Sequence, residues 1–275
     1  MSTLAAQIDA TFEQAVALHR RGQFDGAQLL YQQVLQWQPR HFHAMHLLGV
    51  VAAQTNHPER AADLIGTAIT LDPQSVAAHN NYGNALCQLD RHTAAVQSYD
   101  KAIALQSDYT DAHYNRGAAL LALDEHAAAI ASFDKTIALS PRHATAHCSR
   151  GISLLALKQR EAAIASFDQS IALSPNNPRA YYNRGIALLE LEQHEAAIAS
   201  YDKALEFKPD YAEAYINRGS ALLGLGRYEA AIANCDRAIA LQLDYAGIYN
   251  IRGSALMALG QHDAAIASFD KALTL

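Results

Sequence analysis

The sequence predicts an all-α protein built as an array of paired helices, on two small-residue registers and the absence of strand patterning. Gly49, Gly83, Gly117, Gly151, Gly185, Gly219 and Gly253 recur every 34 residues. Ala27, Ala61, Ala95, Ala129, Ala163, Ala197, Ala231 and Ala265 hold a second slot in all eight units of that period. A period of this length marks stacked supersecondary units rather than one globular core. No segment alternates apolar and polar residues as a half-buried strand does, and the helix formers alanine and leucine dominate.

Phased on the glycines, the units are 8–41, 42–75, 76–109, 110–143, 144–177, 178–211, 212–245 and 246–275. The first carries Ala15 in the glycine slot, then Ala27, Tyr31 and Pro39. In the second these become Gly49, Ala61, Ile65 and Pro73, and in the third Gly83, Ala95 and Tyr99. Gly117, Ala129, Phe133 and Pro141 mark the fourth, Gly151, Ala163, Phe167 and Pro175 the fifth, and Gly185, Ala197, Tyr201 and Pro209 the sixth. The seventh has Gly219, Ala231 and Cys235, the eighth Gly253, Ala265 and Phe269. Within a unit the helical pattern of 115–139 breaks around Leu123 to His126 and resumes, which gives two helices per unit. Glycine on one and alanine on the other let the pair approach without overpacking, and the aromatic four positions after the alanine fills the gap. Proline at the unit ends removes an amide and restricts the residue before it, so the helix stops there.

These registers resemble the tetratricopeptide repeat (TPR) family over essentially the whole chain. The resemblance implies a right-handed α-solenoid superhelix of eight helix-turn-helix repeats, a single solenoid over 1–275, acting as a protein- or peptide-binding scaffold. In that family the first helix of each unit lines a concave groove through its second, fifth, sixth, ninth, twelfth and thirteenth positions. Carried onto this chain, the sixth position reads Leu47, Asn81, Asn115, Ser149, Asn183, Asn217 and Ile251. The asparagine column is similar to that of the O-linked N-acetylglucosamine transferases and their bacterial relatives, though Ser149 interrupts it. An amide offers donors and an acceptor together, so Asn81, Asn115, Asn183 and Asn217 are expected to bracket the backbone of an extended segment. Tyr114, Ile152, Tyr182, Ile186 and Ile216 are expected to supply apolar contacts between them. The basic clamp with which chaperone-tail binders of the family hold a terminal carboxylate is missing except for Arg179, so an extended, partly apolar segment is the expected ligand.

A second column, Arg116, Arg150, Arg184, Arg218 and Arg252, directly precedes the glycines, while Asp100, Asp134, Asp168, Asp202, Asp236 and Asp270 recur on the second helices. Gly66 and Tyr82 stand in the aspartate and arginine slots one step earlier, so the first Arg appears one unit after the first Asp. That stagger predicts pairing between neighbouring units, such as Asp100 with Arg116, and a structural role rather than an anion-binding stripe.

Other functions are argued against by composition and motif. A net charge of −6 and a pI near 6.1 disfavour a nucleic-acid partner. No basic-then-apolar leader and no membrane-length apolar run occur, so a cytoplasmic location without membrane insertion is expected. Cys87, Cys148 and Cys235 occupy unrelated slots and read as reduced small hydrophobes. Of the histidines, His79, His113 and His147 fill packing slots, His92, His126, His194 and His262 fill turn slots, and only His41, His43 and His46 cluster, without a neighbouring thiol or carboxylate. No GxSxG, phosphate-binding glycine loop or HExxH is present, and no catalytic, cofactor or metal residue is expected. The competing expectations are the substrate-recognition arm of a larger enzyme, such as a bacterial glycosyltransferase, and a self-assembling scaffold. The second would use an uncapped last repeat presenting Ala265, Phe269, Ala272 and Leu275.

Overall fold

The computed structural model describes residues 2–275, and among the described residues the chain holds sixteen α-helices and no strand. They group into two compact units, divided between Ser140 and Pro141. The first contains α1 (Ser2–Arg20), α2 (Phe24–Trp37), α3 (Phe42–Gln54), α4 (Pro58–Leu71), α5 (Val76–Gln88), α6 (His92–Leu105), α7 (Thr110–Ala122) and α8 (His126–Leu139). In the second are α9 (Ala144–Ala156), α10 (Arg160–Leu173), α11 (Pro178–Glu190), α12 (His194–Phe207), α13 (Ala212–Gly224), α14 (Tyr228–Ala240), α15 (Ala246–Ala258) and α16 (His262–Leu273).

Local chemistry sets the ends of these helices. Ser75 accepts from the Ala78 amide at 3.3 Å and Asn177 from the Arg179 amide at 3.1 Å, while the His41 and His143 rings cap α3 and α9 at 3.1 Å each. Pro58 and Pro178 sit in the first helical turn, where a missing amide costs nothing. The first helix of a pair ends on a left-handed residue, for example Asp90 (φ 54) or Gly226 (φ 71). Beside Asp90, the Arg91 amide reaches back to the Leu86 carbonyl at 2.9 Å, which closes α5 and turns the chain into α6. His92, His126, His194 and His262 turn out to be the first residues of the second helices rather than turn residues, because this left-handed closure takes one position fewer than the break in the apolar pattern implies.

Inside each pair the two small-residue slots meet. The alanines at 27, 61, 95, 129, 163, 197, 231 and 265 are all fully buried. On α5, α9 and α11, a Cβ added to Gly83, Gly151 or Gly185 would lie 2.5 Å from Tyr99, 2.6 Å from Phe167 and 2.5 Å from Tyr201, respectively. The ring therefore rests on bare backbone, and the missing side chain is what lets the helices close. Burial of Ala265 corrects the expectation that it lies open on the last repeat, whereas Leu273 and Leu275 of the same segment are 85% and 54% exposed.

Candidate functional site

The staggered ion pairs form as the sequence predicts, and they occupy the arginine column. Arg116 Nε donates to Asp100 Oδ1 at 2.7 Å, Arg184 Nε to Asp168 Oδ1 at 2.7 Å and Arg252 Nε to Asp236 Oδ1 at 2.8 Å; Arg218 joins Asp202. Each aspartate lies on the second helix of the preceding repeat. The same guanidinium donates to the second helix of its own repeat, Arg116 to Ser132 at 2.8 Å, Arg184 to Ser200 at 2.8 Å and Arg252 to Ser268 at 2.9 Å. One arginine thus ties three helices together and is spent on the scaffold. Asp168 is 49% exposed and Arg184 29%, so solvent screens the pair, and a charge-swap cycle on Arg184 and Asp168 should report a coupling of about 0.2–1 kcal/mol. A coupling of zero in urea unfolding would show that only the Ser200 contact matters.

With the arginines assigned, the positions expected to line a groove remain. In the first unit Asn81 on α5 donates through Nδ2 to His46 Nε2 on α3 at 3.0 Å. Asn115 on α7 repeats the pattern, donating to Asn80 Oδ1 on α5 at 3.0 Å. Each sixth-position amide is thus bonded to the fifth-position side chain of the previous repeat, 35 residues back. One N–H of the amide is used; the second N–H stays available, and Asn115 Oδ1 accepts no bond among the described residues. The bond fixes the amide plane.

Beside these amides lie two small pockets of about 230 Å³ each. Asn81, Asn84 and Gln88 of α5 line one with Gln54 and Val50 of α3, and Asn84, Cys87, Tyr99 and Asn115 line the other. Their shared residue, Asn84, accepts from the Tyr99 hydroxyl at 2.8 Å. Burial pushes the Tyr99 hydroxyl well above the usual tyrosine range, with the Cys87 thiol beside it adding to the shift, so it stays a donor. Tyr114 is half-buried and its ring centre lies 5.9 Å from that of Phe133.

The second unit is arranged differently. Asn217 on α13 donates to the Tyr182 hydroxyl on α11 at 3.1 Å, again 35 residues back. Tyr182 lies 4.6 Å, centre to centre, from Tyr211, and burial together with nearby Glu213 raises its pKa. Asn183 has Cys148 at the matching position, a thiol rather than an amide, imidazole or phenol, and its Nδ2 turns to its own helix, donating to the Arg179 carbonyl at 2.8 Å. Ile152 and Ile186 are half-buried. Ile216, expected to offer an apolar contact to a ligand, is instead 3% exposed and packs with Cys235, Ala238 and Ile248. The fifth position faces the neighbouring helix pair, and a side chain without a polar tip is drawn fully into that contact.

His46 and Asn80, both buried, hold the sixth-position amides, and Asn84, Gln54 and Gln88 line the pockets beside them; all five escape a reading of the sixth position alone. A search at 35-residue spacing from each asparagine would have found the first two. The histidines at 41, 43 and 46 have separate duties: His41 caps α3, His46 is 7% exposed and bonded to Asn81, and His43 is exposed. Among the described residues no three His, Cys, Asp or Glu side chains gather as a metal site would require, and no helix is long and apolar enough to cross a membrane.

Models of the tetratricopeptide repeat match residues 18–80, 83–124, 110–143, 148–212 and 216–275. A search of the curated proteins gave no significant match. Among solved structures, MamA is 28% identical over 58% of this chain and 94% of its own, with a TM-score of 0.56. YrrB, a TPR protein with an unusual peptide-binding site, is 23% identical over 72% of this chain and 99% of its own, at a TM-score of 0.59. A tetratricopeptide repeat protein from Parabacteroides merdae shares the fold over 85% of this chain and 92% of its own at 18% identity, with a TM-score of 0.66.

Proposed function

Because the chain belongs to the tetratricopeptide repeat family, we propose that it is a non-catalytic, cytoplasmic scaffold that holds an extended, partly apolar segment of a partner protein along the first helices of its repeats. The observation that carries this reading is the amide row Asn81, Asn84 and Asn115, with two adjoining pockets between its members and two of its amides pinned by the preceding repeat. A peptide backbone presents an N–H and a carbonyl at each residue, which matches the acceptor and remaining donor of an asparagine; the pockets take side chains between them. Asn217 with Tyr182 extends the same chemistry on α11 and α13. Asn183, bonded to its own helix, contributes least. The likeness of this column to that of the O-linked N-acetylglucosamine transferases belongs to the same proposal.

The test is selection of peptides from a displayed random library on the full chain, followed by affinity measurement on a variant with Asn81, Asn115, Asn183 and Asn217 replaced by alanine. Each lost contact contributes about 0.5–1.5 kcal/mol, so affinity should fall about tenfold or more while helicity is retained, alanine being the better helix former. Asn183→Ala alone should change little. Binding should depend weakly on salt, because no Asp, Glu, Lys or Arg lines either pocket. Selected peptides that bind the fourfold variant as tightly as the parent, and lose binding on substitution of the second helices, would overturn the proposal.

A further inference from the structure

Between α4, α5 and α6 a cleft of about 420 Å³ opens at a step inside the first unit where both partners of the arginine–aspartate column are replaced. Gly66 stands in the aspartate slot and Tyr82 in the arginine slot, and the Tyr82 ring lies 3.4 Å from where a Cβ on Gly66 would sit. Ser98 fills the slot of Ser132, Ser200 and Ser268, each of which accepts a guanidinium N–H. Ser98 is 7% exposed, lines the cleft and has no such donor on it. Lys101, one turn further along α6, lines the same cleft and has no carboxylate partner, unlike Lys203 with Glu206 or Lys271 with Asp244. No acidic residue lines the cleft, and Ile69 and Leu86 form its apolar wall.

We propose that this cleft takes an aspartate or glutamate side chain of a partner protein, with an adjacent apolar residue against Ile69 and Leu86. Elsewhere in the column the carboxylate is internal; here the incoming segment would supply it. The Ser98 and Tyr82 hydroxyls, the Gln97 amide and the Lys101 ammonium are donors around a space without a competing acid, and a carboxylate is the side chain that only accepts. Charge-assisted bonds of this kind are stronger than neutral ones. None of these residues lines the asparagine pockets, so the site stands apart from the groove proposal.

The test is an NMR titration of the full chain with blocked N-acetyl-leucyl-glutamyl amide, its glutaminyl counterpart, and N-acetyl-leucine, which carries a terminal carboxylate. Shifts should concentrate on Gly66, Tyr82, Ser98 and Lys101, and the glutamyl peptide should bind about tenfold more tightly than the glutaminyl one. Lys101→Met should weaken it about tenfold, and Gly66→Asp with Tyr82→Arg should rebuild the column, close the cleft and abolish binding. The fourfold asparagine variant should bind as the parent does, which separates this site from the groove. No binding by the parent, equal binding of the glutaminyl peptide, or stronger binding of N-acetyl-leucine would each overturn the proposal. Should the double variant fail to fold, Lys101→Met, at an exposed position, decides by itself.

Discussion

Gly185→Leu lowers the stability of the chain by about 1–3 kcal/mol, while Gly219→Ala, in the same slot one repeat later, raises it by about 0.5–1 kcal/mol. The opposite signs follow from what faces each glycine. At Gly185 the first added atom already falls 2.5 Å from Cε1 of Tyr201, a fully buried ring, so Leu forces ring and helix apart. Alanine at 219 meets the Ala231 carbonyl oxygen and Asn234 Cβ at 3.4 Å and Cys235 Sγ at 3.6 Å, ordinary contact distances, because Cys235 replaces the aromatic. There the helix gains the propensity difference between Gly and Ala without strain. Urea unfolding of the two variants beside the parent checks this. Equal midpoints for all three would mean that the glycine slot does not set the helix spacing.

His46→Asn removes a pH dependence that the parent carries. Burial, and then the charge of His43, lowers the His46 pKa from 6.5 to about 4, and its Nε2 accepts from Asn81, which requires the neutral ring. As pH falls, the unfolded chain takes up this proton first. Stability from the neutral ring is therefore full above 6.5 and is lost as pH drops from there through about 4. The shift corresponds to a loss on the order of 3 kcal/mol, and at about 2–4 °C per kcal/mol for a chain of this size it is visible in the melting temperature. His41, lowered first by burial, adds in the same direction. Asparagine is the control because Asn80 already does this job one repeat on, accepting from Asn115. Melting curves of parent and variant that fall in parallel with acid would show that His46 titrates as an exposed ring.

Much of this molecule is legible along one strand of text because its determinants are local and recur. A helix pair needs its small residues and its closing turn within one period, so Gly151, Ala163 and Phe167 announce their contact without reference to any other repeat. Even the ion pairs are readable, since Asp100 precedes the first arginine by a fixed offset and charge selects the partner. What the tertiary structure decided is which side chains meet across neighbouring repeats. Asn217 bonds the phenol of Tyr182, whereas Asn183, with only a thiol at Cys148 across from it, turns to the Arg179 carbonyl of its own helix, so equal residues in equal slots bond to different partners. Ile216 went into the core, and the paired loss of Asp and Arg at Gly66 and Tyr82 left a cleft rather than a collapsed contact. The reason is geometric: the stacking of one helix pair on the next sets the fifth position of one repeat against the sixth of its neighbour, and a periodic sequence names the residues in each slot but not the offset at which the slots face each other.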